Sequence, residues 1–128
     1  MTGFFRTALF VFCLSCNAGP GNGSTLLSPD EFEMRLHNKP EAQLIDVRTP
    51  AEFSGGNIAK ARNLNIHDDN FAAEIAKLDK SKPVMVYCAR GARSATATEQ
   101  LKRAGFPEVY DLEGGMEAWR GAGKNTVQ

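Results

Sequence analysis

The sequence predicts an α/β domain, a parallel sheet covered by helices on both faces. Three observations carry this. Short apolar runs of strand length recur along the chain, bounded by proline, glycine or a polar loop. Between them stand stretches with helix caps or helical spacing, and strands that alternate with helices imply a parallel sheet. The length of 128 residues suits one core and is too short for two ordinary domains. No internal repeat of solenoid length interrupts the alternation.

The chain opens with "MTGFFRTALFVFCLSCNAGPGNGS". Arg6 and the terminal amine precede an apolar run from Ala8 to Leu14, after which the residues turn small and polar. That three-part plan predicts a signal peptide over residues 1–18, its apolar run being short for a membrane span. Two processing routes fit: lipid attachment at Cys16, preceded by Leu14 and Ser15, or cleavage after Ala18. Either places the domain in a bacterial cell envelope, periplasmic or lipid-anchored, with a membrane reached only through such an anchor. Residues 19–25 then read as a flexible tether, residues 26–122 as the folded domain and 123–128 as a C-terminal tail.

Within the domain, "LLSPDEFEMRLHN" supplies Ser28 as N-cap, Pro29 at the first helical position and Glu31 as a capping-box partner. A helix to about Asn38 follows, with Phe32, Leu36 and Met34 as core contacts and His37 solvated. "AQLIDV" reads as a buried strand, and "TPAEF" repeats the cap-plus-proline start for a short helix stopped by Gly55 and Gly56. "ARNLNI" is a further short strand. "NFAAEIAKL" places Phe71, Ile75 and Leu78 on one helical face, capped from "HDDN". "KPVMVYC" is the most strand-like run in the chain. "SATATEQLKRAG" reads as a helix ended by Gly105 in the left-handed conformation, "EVYDL" as a strand, and "GGMEAWRGAG" as a terminal helix with Trp119 in the core.

Composition narrows the function. Apolar residues make up 42% and charged residues 23%, as in a folded globular chain, and the formal net charge is zero. No basic stripe interleaved with aromatics is present, so no nucleic-acid partner is expected. Cys13 and Cys16 fall in the leader, which leaves Cys88 as the thiol of the folded domain, unable to form an internal disulfide. No His or Cys cluster has metal-site spacing, so no metal is expected. His67 with Asp68 and Asp69 reads as a solvated helix cap.

"CARGARS" is where chemistry concentrates. Cys88 ends the strongest strand, at the sheet edge where ligands of α/β folds bind. The loop from Ala89 to Arg93 holds Gly91, so it can turn tightly and aim successive N–H groups inward, and the next helix adds its positive end. Such a setting stabilises a thiolate, the reactive form of cysteine. Arg90 and Arg93 add fixed positive charge for an anionic substrate. Asp46 and Arg48 lie near the same edge, either as a supporting charge pair or, more plainly, with Asp46 bonding nearby backbone and Arg48 pairing with Glu52 four residues on.

These residues resemble the rhodanese family of sulfurtransferases. "LIDVRTPAEFSGGNIAKARNL" is similar to the family's opening signature, with Asn57 in place of a usual histidine and Lys60 in place of a usual glycine. "CARGARS" is similar to its C-x-x-G-x-R-S loop, and "GFPEVYDLEGGMEAW" to its closing signature; together they span roughly Leu26 to Gly121. The resemblance implies a five-stranded parallel sheet and a ping-pong reaction. Cys88 would take the outer sulfur of a donor such as thiosulfate as a persulfide and give it to cyanide or a thiol. It also implies that the backbone of Ala89, Arg90, Gly91, Ala92, Arg93 and Ser94 cradles the substrate, that Arg90 and Arg93 bind the donor, and that no cofactor is needed beyond the persulfide itself. A monomer is expected.

Two alternatives stay open at this level. One is a non-catalytic module that binds a partner or senses oxidants through Cys88. The other is a cysteine-dependent phosphatase or arsenate reductase of related fold, whose loops hold one residue more between cysteine and arginine than the four between Cys88 and Arg93.

Overall fold

A computed structural model describes residues 25–128 of the protein. The expected signal peptide, Cys16 and the tether through residue 24 lie outside the described residues. Five parallel strands form one sheet in the order β1-β5-β4-β2-β3. They are β1 (Leu26–Leu27), β2 (Gln43–Asp46), β3 (Arg62–Asn63), β4 (Val84–Tyr87) and β5 (Val109–Leu112). Helices α1 (Pro29–Asn38), α2 (Pro50–Ser54), α3 (Phe71–Ala76), α4 (Ala92–Arg103) and α5 (Gly115–Gly121) fill the crossovers and the end of the chain. The α/β class and the parallel sheet are as the sequence predicts.

Local chemistry sets the helix starts. Ser28 accepts the Glu31 N–H at 3.2 Å, and Thr49 forms a complete capping box with Glu52. Asn70 begins α3 without a side-chain cap bond, so the cap expected from "HDDN" is not made by its side chain. Gly105 takes φ +94 after α4, as predicted for a left-handed stop. Lys60 is the one non-glycine described residue with positive φ, at 71°, which explains why glycine is the usual residue there.

The sheet divides the core in two. One side gathers Val84, Val86, Cys88 and Val109 with Phe71, Ile75, Ala97 and Leu101; the other gathers Leu44, Met85, Tyr87 and Leu112 with Phe32, Met116 and Trp119. Successive residues of β4 therefore point to opposite faces, both covered, which is why "VMVY" is apolar throughout. Trp119 meets Phe32 edge to face at 6.3 Å. Met34, expected as a core contact, is exposed instead: Phe32 and Leu36 face inward and turn the residue between them to solvent.

Both ends of the domain reach further than their sequence suggests. Thr25 O accepts the Asp111 N–H at 2.7 Å, so the last residue of the expected tether is tied to β5. Residues 123–128, expected as a tail, are stitched down: Val127 pairs with Asn57, Asn125 O accepts the Trp119 indole N–H, and Lys124 reaches Asp30 and Glu33.

Candidate active site

β4 runs straight into Cys88, and α4 starts four residues later. Gly91, at φ +116, makes the turn between them; its N–H points back to Cys88 Sγ at 3.0 Å. The Cys88 thiol donates to Ser94 Oγ at 3.4 Å, and Ser94 Oγ donates to Gly91 O at 3.2 Å. The first helical bond of α4 runs from the Ala95 N–H to Gly91 O. The N–H groups of Ala92, Arg93 and Ser94 precede it, so they belong to the open first turn of a twelve-residue helix. Ser94, read from sequence as the helix start, is the third residue of α4, within its first turn.

α5 closes the loop from the other side. The Met116 N–H donates to Cys88 O at 2.9 Å and the Glu117 N–H to Ala89 O at 3.0 Å. Such close approach requires glycine at Gly115: its φ is +58, and a Cβ there would run into Cys88 O and come within 2.7 Å of the Ala89 carbonyl carbon. The glycine pair of "GGMEAW" thus lets a helix seat directly on the cysteine loop.

Both loop arginines are paired. Arg93 makes a two-pronged contact with Glu52 of α2, at 2.7 and 2.9 Å. That guanidinium beside it, helped by the Thr49 cap, holds the Glu52 carboxyl down at about 2. Arg90 meets Glu117 at 2.9 Å, with both side chains mostly in water. Arg48 does not pair with Glu52, which corrects the plainer sequence reading. It lies two residues before the start of α2, outside the helical spacing that brings residues four apart together. Instead it grips Asp46, Nη2 to Oδ2 at 2.7 Å and Nε to Oδ1 at 3.0 Å, and donates to Gly56 O at 2.8 Å. The Arg48 N–H also donates to Asp46 Oδ1, so that part of the plainer reading holds.

The buried Asp46–Arg48 pair fixes the end of β2 beside the site. A groove of about 520 Å³ opens over it, walled by Arg48, Glu52, Ala89, Arg90, Glu117 and Arg120 among others. Cys88 itself is 1% exposed. Glu52, Glu117, Arg120 and Gly115 line the groove or touch the loop and are not among the site residues the sequence suggests. Glu52 enters the sequence reading only as a partner for Arg48, and the others are read only as parts of the terminal helix. His67, Asp68 and Asp69 are exposed.

Comparison with known proteins agrees with this geometry. Residues 28–122 match the family described as the Rhodanese-like domain. The chain is 42% identical over 95 residues to the uncharacterized protein YqhL of Bacillus subtilis, covering 74% of this chain and 71% of that one. It is 39% identical over 89 residues to a protein of Shewanella oneidensis named thiosulfate sulfurtransferase GlpE, covering 70% and 86%. Among solved structures, the rhodanese-like domain of the Anabaena sp. Alr3790 protein superposes with a TM-score of 0.71 at 29% identity, over 82% of this chain and 80% of that one. With its closing helix seated on the cysteine loop and the match running from Ser28 through Ala122, the chain belongs to the rhodanese-like family.

Proposed function

We propose that this protein is a sulfurtransferase that carries sulfur on Cys88. The observation that supports it most is the seat of Sγ, held at 3.0 Å by the Gly91 N–H below the open first turn of α4. Family membership and relatives named as thiosulfate sulfurtransferases support sulfur transfer as the class.

In the first half-reaction Cys88 Sγ attacks the outer sulfur of thiosulfate or a similar anionic donor. The donor's sulfur–sulfur bond breaks, sulfite leaves with the bonding pair, and a persulfide anion remains on Cys88. The N–H groups of Gly91, Ala92, Arg93 and Ser94 receive that terminal sulfur, a reading supported by the Gly91 N–H at Sγ and the open first turn of α4. In the second half-reaction cyanide or a thiolate attacks the terminal sulfur, and Cys88 leaves as thiolate. Cysteine itself carries the group, so the cycle balances without a cofactor.

The arginines divide the work of holding the donor. The Arg90–Glu117 pair is exposed at both ends and of the kind that contributes little to stability, so an incoming anion can take the guanidinium from Glu117. Arg93 stays with Glu52 and braces the loop against α2. Arg120 faces the same groove without a carboxylate partner among the described residues and adds positive charge at its rim.

Intact-mass measurement tests the reading. Thiosulfate should add one sulfur atom to the reduced protein, cyanide should remove it as thiocyanate, and Cys88→Ser should abolish both. No mass gain in the wild type would overturn it, and hydrolysis of an aryl phosphate instead would move the protein to the phosphatase class. Export belongs to the same proposal: the mass of the mature chain distinguishes a start at Gly19 from a lipid-bearing Cys16.

A further inference from the structure

Most charged groups that wall the groove beside the cysteine loop have a partner of opposite sign. Arg48 is held by Asp46, Glu52 by Arg93 and Arg90 by Glu117. Arg120 lines the same groove and has neither a hydrogen bond nor an ion pair among the described residues. The groove therefore carries one positive charge in excess, and nothing inside the fold uses it.

The backbone makes room for this guanidinium. Gly56 is buried with φ +140, and a Cβ there would come within 2.8 Å of Arg120 Nη2. Arg48 Nη2 reaches the same residue, donating to Gly56 O at 2.8 Å. Two guanidinium groups thus meet at one glycine, and the carboxylate that accompanies them, Asp46, is taken by Arg48 in a buried pair. An anion drawn to this place bonds to the free guanidinium and relieves the repulsion between the two.

The position of Arg120 along α5 says which anion. The start of α5 sits on the cysteine loop, where the Met116 and Glu117 N–H groups bond to Cys88 O and Ala89 O. Arg120 stands four residues after Met116, on the same helical face and about one turn, or ~5 Å, further along the axis. Arg90 stands on the loop itself and takes the small donor in the proposed first half-reaction. An anion that reaches Arg120 with its sulfur at Cys88 has to be longer than thiosulfate. The groove, at about 520 Å³, has the size of sites that hold small organic molecules. A thiol with a carboxylate several bonds from its sulfur meets both demands, and a guanidinium takes a carboxylate through two parallel hydrogen bonds.

We propose that Arg120 selects the acceptor of the second half-reaction, an organic thiol whose carboxylate it binds in the groove. The acceptor enters as thiolate, its proton gone to solvent. Its sulfur attacks the terminal sulfur of the Cys88 persulfide, the bond from that sulfur to Cys88 Sγ breaks, and Sγ keeps the electron pair as thiolate. The acceptor leaves as a persulfide. Arg120 takes no part in these bonds and sets which thiols are held in place for them. The inference rests on the proposed function in taking Cys88 as the sulfur carrier.

Two thiols of equal length, mercaptohexanoate and mercaptohexanol, test it as acceptors in thiosulfate turnover by the whole chain, followed as sulfite release. Comparing kcat/KM for both thiols in wild type and in Arg120→Gln divides out their intrinsic reactivity. The preference for the acid over the alcohol should fall about five- to tenfold in Arg120→Gln, through KM, and Arg120→Lys should keep part of it. An equal preference in wild type and Arg120→Gln would overturn the assignment. Thiosulfate loading, read by mass, reports on the proposed function by itself. If loading fails, the S-methylated forms of the two probes carry the test, since they need no sulfur transfer. The acid should then slow iodoacetamide alkylation of Cys88 in wild type and not in Arg120→Gln. Equal protection of the two proteins, or of neither, would overturn the carboxylate site.

Discussion

Glu52 decides how much positive charge the cysteine loop offers. Its carboxylate takes both prongs of the Arg93 guanidinium and so cancels the charge that spacing in "CARGARS" promised to the substrate. Glu52→Gln keeps the size of the side chain and an acceptor for the Thr49 cap, and it releases Arg93. The expected result is a thiosulfate KM lowered by roughly three- to tenfold with kcat little changed, since a freed guanidinium gains a charge-assisted contact to the anion. Steady-state thiocyanate formation reads this directly, and an unchanged or raised KM would show that Arg93 does not reach the donor. The places of Cys88, Gly91 and Ser94 in the loop were legible because they follow from local order along the chain. The Glu52–Arg93 pair was not, because it joins residues 41 positions apart.

At the scale of elements, the site depends on how α5 sits on the turn between β4 and α4. Gly115 permits that seat, and both its positive φ and its contact with the Cys88 carbonyl forbid a side chain. Gly115→Ala should lower stability by about 2–4 kcal/mol in urea unfolding. It should also slow Cys88 alkylation, because α5 must shift to make room. Full retention of both properties would mean the loop holds its shape without the helix. Most elements were readable for reasons equally local: proline and a capping residue start α1 and α2, and a continuous apolar run marks β4. β1 escaped residue-by-residue reading, since two leucines ahead of a helix cap carry no periodicity. It forms because the edge of β5 offers backbone groups that Leu26 and Leu27 can pair with.

At the scale of the molecule, two carboxyls pull the pH dependence of stability in opposite directions. Asp111 is raised to about 6 in the fold, so its contribution is full below the ordinary carboxylate range and is lost as pH climbs through about 6. The loss is on the order of 3 kcal/mol for such a shift. Glu52 is held at about 2, so its contribution is present above the ordinary range and fades as pH falls toward 2. Urea unfolding across pH should therefore find Asp111→Asn more stable than wild type above about pH 6 by ~1–3 kcal/mol, with the gap closing toward pH 4. Parallel curves for the two proteins would show that the buried carboxyl carries no such strain.

By itself the sequence determined the class of fold, the order of its main elements and the place of Cys88. Those properties rest on short-range physics: caps, φ preferences, apolar runs and the step from strand to loop to helix. Only the tertiary structure decided which charges meet. It sent Glu52 to Arg93, Arg48 to Asp46 and Glu117 to Arg90, and it buried Asp111 beside Val86 on the sheet face that carries Cys88. Ion pairs and buried polar groups answer to whatever the folded chain brings within a few ångströms, and sequence spacing does not encode that distance.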